Sequence, residues 1–139
     1  RYPAKIKPGK VVNTVHTTVD FAPTILGLMG VSENLPLFHG RDTSKSFTSA
    51  EKETTNERVV YIRQSSGSWV AAIGQRYKLV LSVSDSPWLF DLEKDPDEMV
   101  NEYRNPQYTS IAARLQGRLM AQMKKYEEPA LAAGTLLLK

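Results

Sequence analysis

Apolar positions recur along this chain with two different periods, and the changes of period mark out its elements. In "TTVDFAPTILGLMGV", Phe21, Ile25, Leu28 and Met29 follow helical spacing and predict a short helix. Asp20 stands where an N-cap would accept a free backbone amide. Pro23 falls in the first turn, where its missing N–H does no harm, and Gly30 suits a left-handed C-cap. From residue 58 the period shortens. "RVVYIRQ", "SWVAAI", "RYKLVLS" and "PWLFD" are four strand candidates, joined by connections short enough for antiparallel hairpins. Tyr77, Leu79 and Leu81 alternate with Arg76, Lys78 and Ser82, so one face of the sheet is expected to be buried and the other wetter. After Asn105-Pro106, a cap followed by a proline at the first helical position, the helical period returns. Tyr108, Ile111, Ala112, Leu115, Leu119, Met123 and Tyr126 form one stripe, enough to cover one face of the sheet. The predicted class is α+β, a small antiparallel four-stranded sheet packed on a C-terminal helix.

The remaining segments read as connections. "RYPAKIKPGKVVNTV" contains Pro3 and a Pro8-Gly9 turn between short extended pieces. Residues 32–56 are polar, with Pro36 and Gly40, and form the expected boundary between two parts of the chain. The tail "ALAAGTLLLK" after Pro129 is apolar and uncapped, and its pattern gives it no place.

Composition narrows the function classes. A chain of 139 residues with 41% hydrophobic and 24% charged positions suits one folded domain, or one domain and a piece of another. No apolar run approaches the roughly 20 residues that span a bilayer. The chain opens on Arg1 rather than Met, so its natural start is expected upstream. Without cysteine it has no disulfide, thiolate metal site or cysteine nucleophile. Lys5, Lys7 and Lys10 cluster, as do Lys124 and Lys125, but acids interrupt the other basic stretches and no nucleic-acid signature accompanies the net charge of +3.

Candidate chemistry is sparse. His16 and His39 are not spaced as a metal pair. Asp91, Glu93, Asp95, Asp97 and Glu98 lack the glycine and closing glutamate of a calcium loop, and Pro96 fixes the backbone among them. They read as caps and turn formers, with Asp91 and Asp95 accepting local amides and Asn101 closing the turn. Ser65 and Ser66 have no identifiable base, and neither a GxSxG motif nor a phosphate-binding loop is present.

Three segments, taken in order, resemble the C-terminal part of the sulfatases of the alkaline-phosphatase-like superfamily. They are "YPAKIKPGKVVNTVHTTVDFAPTILGLMGV" with its Pro-Gly turn and Asp-x-x-Pro-Thr helix, "FHGRDTSKSF" with Asp42 where the family has Ser, and "RYKLVLSVSDSPWLFDLEKDPDEMVNEY". The resemblance implies two parts. Residues 1–45 would be a strand-and-helix remnant of the large α/β sulfatase domain, and residues 46–139 the antiparallel-sheet-plus-helix subdomain. It also implies that the parent enzyme hydrolyses sulfate esters of a sulfated carbohydrate or aryl sulfate. Its calcium and its formylglycine would then belong to the upstream domain, with no catalytic or metal-binding residue in this chain. "SIAAR", Ser110 to Arg114, fits the serine form of the formylglycine motif by letter but falls in the C-terminal helix.

By the same analogy His16, Arg63, Gln64 and Lys78 are the candidate substrate contacts. The expected partner is the upstream catalytic domain, with self-association, or docking of the tail, through the Phe21, Ile25, Leu28 and Met29 face. The implied location is the bacterial periplasm or outside the cell. Two other readings remain open at this point: a standalone, non-catalytic module binding sulfated glycans, and a fragment of a related phosphatase or phosphonate hydrolase.

Overall fold

The computed structural model describes residues 2–31, 38–49, 58–129 and 136, and the chain divides into two compact units, Arg1–Glu57 and Arg58–Lys139. In the first unit, the segment before the helix opens on turns over residues 3–9, and Thr17, just before the helical residues, is extended. The Tyr2 carbonyl accepts the amides of Lys5 and Ile6 at 3.1 and 2.9 Å, and Lys10 N–H closes on Lys7 at 3.3 Å. Helix α1 then spans Phe21–Met29, directly after a 3-10 turn at Thr18–Asp20.

That turn changes the role of Asp20. Its backbone is already helical, so its side chain points back rather than forward and makes no cap bond to α1. Thr17 is the side-chain cap, accepting from Val19 N–H at 3.1 Å, while Asp20 Oδ2 accepts from Thr17 N–H at 2.8 Å. The two form a reciprocal capping box. Asp20 Oδ1 accepts Arg41 N–H at 2.9 Å, so one buried carboxylate fastens both the start of the helix and the strand of chain that returns past it.

The return is close. A Cβ on Gly40 would run into the Val19 carbonyl, and one on Gly27 into the Asp42 carboxylate. Thr24 Oγ1 shares a hydrogen bond with Thr43 Oγ1 at 2.8 Å and accepts Thr43 N–H at 3.1 Å. Asp42 Oδ1 accepts Ser44 N–H at 2.8 Å at the head of a five-residue helix α2, Ser44–Thr48. The polar segment therefore holds a helix that its composition did not suggest, and the expected boundary at residues 45 and 46 falls inside it. Asp20, Pro23, Thr24 and Gly27 face this packing, whereas Phe21, Ile25 and Met29 are 61%, 56% and 67% exposed and Leu28 is half-buried. Helix α1 thus presents its apolar side outward. It ends as expected at Gly30, in the left-handed conformation with φ 82°, with Val31 N–H reaching back to Leu26.

The second unit follows its pattern closely. Strands β1 (Val60–Arg63), β2 (Trp69–Ile73), β3 (Tyr77–Ser82) and β4 (Trp88–Asp91) form an antiparallel meander in sequence order. Opposed residues Tyr61, Ala72, Leu79 and Leu89 lie on one face. Val70, Ala72, Leu79, Leu81 and Leu89 make a core with Tyr108, Ala112, Leu115, Leu119 and Met123 of the C-terminal segment. Asn105 Oδ1 accepts Gln107 N–H at 3.0 Å and caps a 3-10 turn, Pro106–Tyr108, which runs into α3, Thr109–Lys125.

The other face corrects an expectation. Ile62, Ala71, Val80 and Trp88 oppose one another across all four strands, and Val60, Ile73, Lys78 and Phe90 form the neighbouring row. Val60, Ala71 and Val80 are buried although they stand outside the α3 core, so this face is largely apolar rather than wet. The β-branched and aromatic residues that favour a strand leave it few polar positions. Of the tail, only Leu136 is among the described residues, and it packs against the α3 core.

Candidate functional site

A cluster of charged and polar side chains lies where β4 passes into the turn before α3. Asp91, the last residue of β4, is buried, and the β3–β4 register sets it opposite Tyr77, next to Arg76. Arg76 Nε and Nη2 each donate to an Asp91 oxygen at 2.9 Å, a bidentate fork, and Arg76 Nη1 reaches Glu93 at 2.9 Å. Tyr108 O–H adds a third donor to Asp91 at 3.2 Å, and Lys94 Nζ donates to the same phenol at 2.9 Å. The Arg76 fork holds the Asp91 carboxyl below the usual carboxylate range. Burial opposes that shift and Tyr108 assists it. Arg76 is raised in turn by the same bond, and Lys94 by its bond to Tyr108.

The rest of "DLEKDPDEMVN" is bound to the sheet by local bonds. The Asp91 carbonyl accepts the amides of Lys94 and Asp95 at 3.1 and 2.8 Å, and Asp95 Oδ2 accepts Val100 N–H at 2.8 Å. Asn101 staples the run to β4: its Oδ1 accepts Leu89 and Tyr103 N–H at 2.9 and 3.0 Å, and its Nδ2 donates to Pro87 at 3.1 Å. The acids are turn formers and ion-pair partners, as their spacing indicates. Among the described residues no three His, Asp or Glu side chains come together as a group that could hold a metal ion. Ser110 to Arg114 lies on α3 with Ala112 in the core, so the formylglycine-like letters form a packed helical turn.

Of the three candidate substrate contacts in the second unit, Lys78 stands apart from Arg63 and Gln64. Lys78 lies on the sheet face opposite Arg63, as the register requires. It is engaged with Glu98 at 2.6 Å and sits over the Phe90 ring, 5.9 Å from its centroid. Arg63 and Gln64 stand together at the β1–β2 turn, where Gln64 N–H bonds Trp69 at 3.1 Å and its carbonyl accepts Gly67 N–H at 2.9 Å. His16 belongs to the first unit, its ring 5.3 Å from that of Phe47, with Nε2 buried and without a hydrogen-bond partner among the described residues.

Two carboxylates have partners that spacing did not indicate. Glu128, just beyond α3, is buried and accepts Tyr61 O–H, and the same oxygen lies 3.4 Å from Arg63 Nε. Burial, and then the Glu128 carboxylate, raise the Tyr61 phenol. The other group is Asp91 itself: only the β3–β4 pairing reveals that a strand-end aspartate meets Arg76.

The comparisons with known proteins point one way. Residues 1–125 match the family described as N-sulphoglucosamine sulphohydrolase, C-terminal. An uncharacterized protein of Haemophilus influenzae is 36% identical over 53 residues, which cover 38% of this chain and 27% of that protein. Among solved structures, BT4656, determined in complex with its substrate D-glucosamine-2-N,6-O-disulfate, superposes with a TM-score of 0.76 at 26% identity. That likeness covers 92% of this chain and 28% of BT4656. BT1596, a 2-O GAG sulfatase, shares the fold with a TM-score of 0.70 at 20% identity, over 94% of this chain and 29% of its own. The chain thus spans less than a third of the length of these relatives. With a sheet-and-helix unit of this topology and a family match through residues 1–125, the chain belongs to the N-sulphoglucosamine sulphohydrolase C-terminal family, the C-terminal part of a sulfatase.

Proposed function

We propose that this chain serves as the C-terminal part of an enzyme that removes sulfate from a sulfated carbohydrate, with sulfated glucosamine the favoured substrate class. The observation that carries the reading is the family match over residues 1–125, supported by the likeness to BT4656, which was determined with D-glucosamine-2-N,6-O-disulfate. In this reading the chain supports and shapes the site, and the reacting groups lie upstream. A formylglycine nucleophile and a calcium ion in that upstream part would supply the chemistry of sulfate transfer. The periplasm or the cell exterior is the corresponding location.

The apolar side of α1 gives the upstream part a physical task. Val19, Phe21, Ile25 and Met29 are all more than half exposed, and a contiguous apolar surface of this kind is a contact surface. In the complete enzyme the remainder of the sulfatase covers it, and residues 1–45 are the edge of that larger domain.

Sulfate release tests the reading. The complete protein should liberate sulfate from N- or 6-O-sulfated glucosamine, and the 139-residue chain alone should liberate none. Release by this chain alone would overturn the supporting role. A complete protein that cleaves only phosphate or phosphonate esters would move the assignment to the neighbouring hydrolase class, and one that binds sulfated glycans without cleaving them would make the chain part of a binding module.

A further inference from the structure

The two edges of the sheet are finished differently. In an antiparallel ladder each residue sends its N–H and C=O to one side, and successive residues alternate. On β4 the outward residues are Leu89 and Asp91, because Leu92 N–H bonds Arg76 at 2.7 Å and the β3–β4 register continues from there. That edge is closed by the chain that follows. Asn101 Oδ1 accepts Leu89 N–H at 2.9 Å, the Leu89 carbonyl accepts Glu102 N–H at 2.8 Å, and the Asp91 carbonyl accepts Lys94 and Asp95. On β1, Gln64 N–H bonds Trp69 at 3.1 Å, so Ile62 and Val60 pair with β2 while Tyr61 and Arg63 turn their N–H and C=O outward. Among the described residues nothing accepts from or donates to those outward groups. The strand also holds no proline, and Ile62 in its middle is 38% exposed. An open edge of this kind is a template for another strand.

We infer that the β1 edge is a dimer interface, at which β1 of a second copy of this protein pairs antiparallel and joins the two sheets into one. A two-fold axis beside Ile62 brings the outward groups into register. Tyr61 of each copy then stands opposite Arg63 of the other, and each such pair exchanges both backbone bonds. Ile62 meets Ile62 of the second copy on the opposite face, apolar against apolar. Charge selects a second copy over an unrelated strand. Tyr61 O–H donates to the buried Glu128, and the same oxygen lies 3.4 Å from Arg63 Nε. With Arg63 of the second copy opposite Tyr61, each Glu128 stands near two guanidinium groups, so the strand brings its own counter-charge to the acid.

The test is sedimentation of the complete protein across the micromolar range, with hydrogen exchange measured at β1. A dimer is expected, and the Tyr61 and Arg63 amides should gain protection as it forms. Ile62→Lys sets two ammonium groups against each other at the axis and should raise the dimer dissociation constant at least about tenfold. Arg63→Pro removes an outward N–H that the sheet itself does not use, and should weaken the dimer likewise while the strand persists. Both variants should keep a cooperative thermal transition and the parental circular dichroism. A complete protein that stays monomeric would overturn the inference, and protected Tyr61 and Arg63 amides in that monomer would show the edge covered from within one chain. A dimer that both folded variants leave intact would overturn it too, by placing the interface elsewhere. Each outcome leaves the sulfatase reading to stand or fall on sulfate release.

Discussion

Helices α1 and α3 are built on opposite plans. Helix α3 buries its apolar stripe, with Leu115, Leu119 and Met123 at most 3% exposed against the sheet, and leaves its charges in water. Helix α1 buries Asp20, Pro23 and Thr24 at its inner side and sends Phe21, Ile25 and Met29 outward. An amphipathic pattern predicts that an apolar face will be covered, without saying that the cover belongs to the same unit. The sheet unit carries its own cover. The helical unit is held by hydrogen bonds to Arg41 and Thr43, and its apolar face lies outward.

The difference can be broken by substitution. In urea unfolding of the 139-residue chain, Leu119→Ala should cost about 2 to 5 kcal/mol, the range for emptying a packed core site. Ile25→Ala in the same chain should change stability by no more than about 0.5 kcal/mol, because the side chain is already in water. Equal costs would erase the contrast. Next in size is Asp20→Ala, which removes the charged acceptor of the Thr17 and Arg41 amides and should cost about 1.5 to 3 kcal/mol in the first unit. A neutral result would mean that the 40–43 segment is not fastened through this carboxylate.

The smallest expected effect is a pH dependence in the second unit. Asp91 has its carboxyl lowered in the folded state, chiefly by Arg76, so between the folded and unfolded values the unfolded chain binds the extra proton. Its contribution is therefore fully present above about pH 4, the unfolded range for Asp, and is lost as the pH falls through the depressed folded value. Unfolding of Asp91→Asn, followed from pH 6 downward, should show a shallower acid limb than the parent. An unchanged limb would show that the Arg76 fork does not stabilise the fold.

What the sequence made legible follows from the range of the interactions involved. The four strands, the Asn105 cap and the α3 stripe were readable because period and turn chemistry are local. Asp20 was identified as a helix-start residue but assigned to the wrong turn: the capping box lies one turn earlier, and its second partner, Arg41, is 21 positions away. The tightness around Gly27 and Gly40 likewise comes from chain that returns through space. The apolar second face of the sheet was misread from β3 alone, since the alternation of Arg76, Lys78 and Ser82 is not repeated by Ala71, Ile73, Trp88 and Phe90 on the neighbouring strands. Of the candidate contacts, Arg63 and Gln64 are sequence neighbours and stay together, whereas strand register places Lys78 on the other face.

Hydrogen exchange at the amides of α1, measured both in this chain alone and in the complete protein, tests the central claim most directly. Residues 21–29 should gain strong protection only in the complete protein, where the apolar face is covered, while the β2 and β3 amides exchange equally slowly in both. Equal protection of α1 in the two forms would contradict it, because the helix would then need nothing from the rest of a sulfatase.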